Sequence, residues 1–192
     1  MYYGIYKNIR DSVWKCLIDF DINFFPVDIL KITRTVGIRV IKNSTVNDLL
    51  PGEHGKSYFN GHAWIVIYDD REPVDVCRFT IAHELGHFFL GHDLTCSRYA
   101  NVQKFETRSK AEEQADAFAL RLLAPACIIK ELDLHSPEEI AKCCGIPLPW
   151  AKIRADRMKT VYRMNKFFTN PVEKEVYDNF KKYISVAKRK LK

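Results

Sequence analysis

Val74-Asp75-Val76-Cys77-Arg78-Phe79-Thr80-Ile81-Ala82-His83-Glu84-Leu85-Gly86-His87-Phe88-Phe89-Leu90 is the stretch on which the reading of this chain turns. It reads as one helix, with Gly91 as a natural C-terminal stop. On an α-helix, side chains four positions apart lie about 40° apart around the axis and about 6 Å along it. The imidazoles of His83 and His87 can therefore converge on one tetrahedral metal ion at about 2.0–2.1 Å. Glu84 lies about 100° round from His83. It can face the open position of such an ion without being a ligand, and there accept a proton from water. The alternative is an amphipathic helix with two incidental histidines and a surface glutamate. Phe79, Ile81, Ala82, Leu85, Phe88 and Leu90 argue against it, because so apolar a helix is buried and buried histidines need partners.

Two histidines leave one protein ligand to be found. His92 stands five positions beyond His87, about 140° round the helix and past the Gly91 stop, so it is expected at the rim or exposed. The better source is Ala111-Glu112-Glu113-Gln114-Ala115-Asp116-Ala117-Phe118-Ala119, in a helix expected from about Ser109 to Leu123. Glu112 and Asp116 share a helix face. Glu112 would complete a two-His, one-Glu set of the catalytic kind, and Asp116 would hold the far nitrogen of one histidine. Glu113 is the fallback ligand. A solvated acidic face near a helix start is the competing account, and Phe118, Leu120, Leu122 and Leu123 oppose it. Donors to the transition state could come from His62, His92 or Tyr99, among which the sequence does not choose.

Outward from these helices, the chain is ordinary in size and composition. Its 192 residues suit one compact domain with a short appendage. A helix is expected at 10–20, and a second from Pro26 to Gly37, followed by a strand at 38–41. Asn60-Gly61 between two β-prone runs predicts a hairpin with a two-residue turn, its second strand ending at Tyr68. Residues 92–108 read as irregular and polar. Ser136-Pro137-Glu138-Glu139 announces a capped helix ending near Gly145. Further helices are expected from Pro149 to about Lys166 and from Pro171 to the end. In the last of these, Val172, Val176, Phe180, Ile184 and Ala187 form one apolar stripe.

The net charge of +6 is concentrated at one end. Residues 158–192 hold ten Lys or Arg against three acids, and the other 157 residues hold twenty against twenty-one. The basic side chains lie on the solvent side of an apolar stripe, so direct nucleic-acid binding is not expected. The six cysteines form no C-x-x-C pair and read as reduced thiols. No apolar run reaches membrane-spanning length and the N-terminus lacks the features of a signal peptide, which predicts a soluble cytoplasmic protein without membrane partners.

His83 to His87, followed by Glu112-x-x-Ala115-Asp116-x-Phe118-Ala119-x-x-Leu122-Leu123-x-Pro125, resembles the ImmA/IrrE family of metallopeptidases. Pro26-Val27-Asp28-Ile29-Leu30, Trp64-Ile65-Val66-Ile67 and Arg78-Phe79-Thr80-Ile81-Ala82 stand where that family has similar segments, and so does the stretch from Glu139 to Arg154. The resemblance covers roughly residues 20–157. Ala124 stands where the family often has Met, and the tail after Met158 lies outside the pattern. What the resemblance implies is a zincin-like α+β fold: a small, partly antiparallel sheet packed on the helix of His83, with further helices around it. It implies a metallopeptidase domain at 1–157, with a closing helical pair at about 136–166; the basic amphipathic helix expected at 167–192 is read from its own residues. It also implies one Zn2+ per chain, which manganese or iron could replace. The substrate implied is a protein, a helix-turn-helix repressor cut at one peptide bond. An extended substrate segment would then add beside the strand Trp64 to Tyr68. The alternatives are a metal-containing regulator that binds its partner without proteolysis, and a peptide deformylase, which the Val76-Cys77-Arg78 setting of the nearest upstream cysteine disfavours.

Overall fold

The computed structural model describes residues 3–4, 8–92, 97–100 and 109–190, with backbone alone at 97–100 and 190. Its strands are β1 (Arg39–Lys42), β2 (Glu53–Phe59), β3 (Trp64–Tyr68) and β4 (Ser97–Ala100). They form one sheet in the order β1-β3-β2-β4. β1 runs parallel to β3, with Val40 opposite Val66, while β2 is antiparallel to both β3 and β4. The fold is α+β, with a small mixed sheet.

Two expectations about this sheet are corrected. β3 is an interior strand whose two sides are taken by β1 and β2, so no substrate segment can add beside it. The outer strands among the described residues are β1 and β4. The hairpin has a four-residue loop, not a two-residue turn, because Phe59 pairs with Trp64. Asn60 decides this: its Oδ1 accepts the amides of His62 and Ala63 at 3.0 and 2.9 Å, an Asx turn that competes with the two-residue alternative. β4 lies inside the stretch read as irregular; the rest of 93–108 lies outside the described residues.

The helices are α1 (Ile9–Asp19), α2 (Ile29–Thr35), α3 (Asn43–Val46), α4 (Val74–Leu90), α5 (Lys110–Leu123), α6 (Ala126–Glu131), α7 (Pro137–Cys144), α8 (Leu148–Met164) and α9 (Pro171–Lys190). α2 starts later than Pro26 suggests, because the Asp28 side chain accepts the Lys31 amide at 2.9 Å and so sets the first turn. α7 carries the capping box that Ser136 and Glu139 announce. α6 was not legible, being six residues between Pro125 and Leu132 and too short for a period to register.

α4 is the central element. Every residue from Phe79 to His87 is buried, so it has no solvated face over that span and is enclosed by its neighbours. Phe79 stacks on Trp150 of α8 with ring centroids 4.2 Å apart, and Phe89 meets Phe118 of α5 at 5.9 Å. Val176, Phe180 and Ile184 of α9 join the same core as α1 and α4. Among the described residues, no helix is long and apolar enough to cross a membrane.

Candidate metal centre

Close approach of two helices builds the site. At Gly86 a built Cβ would stand 3.0 Å from the Cα and the carbonyl oxygen of Ala115, so α4 and α5 meet backbone to backbone there. That contact brings the first turn of α5 against the His83 and His87 faces of α4. Ser109 caps α5, its hydroxyl accepting the Glu112 amide at 3.4 Å, which starts the helix where Glu112 can reach across.

Three side chains converge. His83 Nε2 lies 3.0 Å from His87 Nε2. The two oxygens of Glu112 lie 3.1 Å from His83 Nε2 and 3.3 Å from His87 Nε2. A tetrahedral ion bound at about 2.0–2.1 Å holds its ligand atoms about 3.3–3.4 Å apart. Each of these three separations is within a few tenths of an ångström of that spacing, and a donor set of two imidazoles and one carboxylate is the kind zinc takes in catalytic sites. His83, His87 and Glu112 thus fit a metal ion. Glu113, the fallback, is exposed on the outer side of α5.

Around the triangle stand groups that orient it. His83 Nδ1 meets the Asp116 carboxylate at 2.8 Å, which leaves Nε2 pointing into the triangle. Behind His87, its Nδ1 faces His92 Nδ1 at 3.1 Å, and His92 Nε2 faces Gln114 Oε1 at 3.0 Å. His92 is therefore half-buried at the back of His87, on the side away from the converging Nε2 atoms. His62 is exposed in the loop between β2 and β3. Tyr99 belongs to β4, and its side chain lies outside the described residues.

Glu84 is buried and does not join the triangle. Its Oε2 accepts a hydrogen bond from the buried Ser57 hydroxyl, across from β2 to α4. Nothing in the local sequence marks Ser57 for this: it sits 27 residues upstream in a strand, and strand pairing alone aims it at α4.

Charge in the cluster is unevenly held. Burial opposes protonation of His83, but the Asp116 and Glu112 carboxylates outweigh it and raise its pKa to about 9. His87 is lowered from the usual histidine value, chiefly by burial. Burial would raise Glu112, yet its bonds to the two histidines carry it well below the usual carboxylate range.

The model of one protein family, Peptidase_M78, described as the IrrE N-terminal-like domain, matches residues 33–156, which is 124 of the 192 residues. That span contains both helices of the site and all four strands. No curated protein matches the chain.

Proposed function

Because the chain belongs to the ImmA/IrrE family of metallopeptidases, we propose that it is a zinc endopeptidase acting on a protein, with His83, His87 and Glu112 as metal ligands and Glu84 as general base. The observation that carries this reading is the pairing of a three-donor cluster with a separate buried carboxylate. A purely structural metal site is closed by its ligands and has no need of Glu84.

Zinc, when bound, supplies a Lewis acid that polarises the scissile carbonyl and brings the pKa of water towards 7. The chain's own residues do the rest. Glu84 takes a proton from the attacking water and delivers it to the leaving amine nitrogen, so that one C–N bond is exchanged for one C–O bond. Ser57, donating to Glu84 Oε2, fixes the carboxylate's orientation. Asp116 holds His83 in the tautomer whose Nε2 can bind metal. Among the described residues β4 is an outer strand, next to the strand that carries Ser57, and an extended substrate segment would add along it.

A helix-turn-helix repressor is the substrate this family resemblance favours. The test incubates the zinc-loaded protein with helix-turn-helix repressors from the same source and reads products by intact mass, with Glu84→Gln in parallel. We expect one discrete cut, absent in the variant, while the variant retains one zinc. A stable complex without a cut would favour regulation by contact, and loss of zinc from folded Glu84→Gln would make Glu84 structural.

A further inference from the structure

On the far side of α5 from Glu112, α1, α5, α6, α8 and the start of α9 line a cavity of about 340 Å³. Five cations line it: Arg10, Arg121, Arg154, Arg157 and Lys166. The single acid on its wall, Glu173, is buried and its Oε2 accepts the Phe168 amide at 2.7 Å. Arg10 stands over the Trp14 ring at 4.7 Å and reaches Asp11 only at 3.7 Å. Among the described residues, no carboxylate pairs with Arg121, Arg154 or Arg157.

Arg154 is the telling residue. It is 95% buried, and its Nε donates to the Ala124 carbonyl at 2.7 Å. That bond satisfies one of five guanidinium protons and brings no opposite charge. Arg121 likewise donates to a backbone carbonyl, that of Ala117, at 3.1 Å. Burial, with the neighbouring arginines adding to it, lowers the pKa of Arg154 to about 9 and that of Arg121 to about 10. Charged groups in a buried setting are ordinarily paired or coordinated. This cluster has its like charges gathered around an open volume instead.

We propose that this cavity is a binding site for a small phosphate-bearing molecule, held by Arg154, Arg121 and Arg157 with Arg10 and Lys166 at the rim. Guanidinium forks match phosphate oxygens in pairs, and several around one volume call for a ligand with more than one negative charge. The volume lies at the small-molecule end of the pocket range, about 300–1,000 Å³. Val13, Pro125 and Val161 give it an apolar wall suited to an organic portion. A more open cleft of about 590 Å³ shares Arg10, Arg121 and Arg157 and leads to Gln114, the partner of His92. Of the site's cations, Arg121 and Arg154 lie inside the span matched to the family, and Arg10, Arg157 and Lys166 lie outside it. The site does not depend on the peptidase reading.

The test is titration calorimetry on the zinc-loaded full chain with inorganic phosphate and with adenosine 5′-monophosphate, at fixed ionic strength. Zinc content is measured before and after each titration. We expect one site per chain, tighter for the nucleotide than for phosphate. Arg157→Gln, at an exposed position, and Arg121→Gln should each weaken it about 10- to 100-fold, the loss of one charge-assisted hydrogen-bond donor pair. Arg154→Met should abolish binding, with circular dichroism checking that the variant is folded. Equal affinity in wild type and Arg157→Gln would overturn the proposal. So would no binding of either probe at millimolar concentration, or binding of a single-stranded 20-mer oligonucleotide with neither small probe competing.

Discussion

At His83 two carboxylates act on one imidazole, Asp116 at Nδ1 and Glu112 at Nε2. In the metal-free protein they keep His83 protonated, with a pKa of about 9, whereas His87 is held neutral by burial. His83 must give up its proton to become a ligand, and His87 and Glu112 need not. Zinc uptake at pH 7.5 should therefore release about one proton per ion. Calorimetry in two buffers of different ionisation enthalpy measures it, and the apparent affinity should rise with pH towards 9. The stability that His83 gives the metal-free fold has the opposite trend. Its folded pKa is raised, so that contribution is complete below about 6.5 and is lost as the pH rises through about 9. Asp116→Asn removes the group that orients His83 and should lower zinc affinity by about 10- to 100-fold, read by competition with a chromogenic chelator.

Between elements, the site depends on how closely α4 and α5 approach. Gly86 faces the α5 backbone at Ala115 and the Cβ of Phe118, with 3.0–3.2 Å left for a Cβ. Gly86→Val would drive these helices apart and cost about 1–3 kcal/mol as overpacking. Because Glu112 reaches the histidines from α5, the variant should lose zinc affinity by more than its fall in stability implies. Parallel thermal melts with and without zinc would separate the two effects, and equal zinc stabilisation in both proteins would rule out this role for Gly86. A similar approach occurs on the sheet side, where a Cβ at Gly55 would run into the Thr80 methyl, so β2 lies hard against α4 and brings Ser57 to Glu84.

For the molecule as a whole, the basic C-terminal helix is part of the core. Val176, Phe180 and Ile184 are buried, while Lys174, Lys181, Lys182, Lys188 and Arg189 are exposed. Lys188 also reaches Glu131 of α6 at 3.3 Å, a surface pair of small value. Phe180→Ala should cost about 3–5 kcal/mol, a fall in melting temperature of roughly 6–20 °C for a chain of this length. A change of a degree or less would mean that α9 docks loosely.

Several features could be read from the residues alone because they repeat at helical spacing or rest on local chemistry. The unbroken apolar run of α4, the Gly91 stop, the Ser136 capping box and the i, i+4 spacing of His83 with His87 and of Glu112 with Asp116 all belong to single segments. The spacing from Asp116 already favours Glu112 over Glu113 as the third candidate donor, and the structure has Glu112 beside the histidines and Glu113 in solvent. Tertiary structure alone decided that Ser57 meets Glu84, that β3 is interior, and that cations from α1, α5 and α8 surround one cavity. The physical reason is common to all three. Each is a contact between segments far apart in the chain, set by strand order and helix packing, and such contacts leave no period in the sequence of either segment.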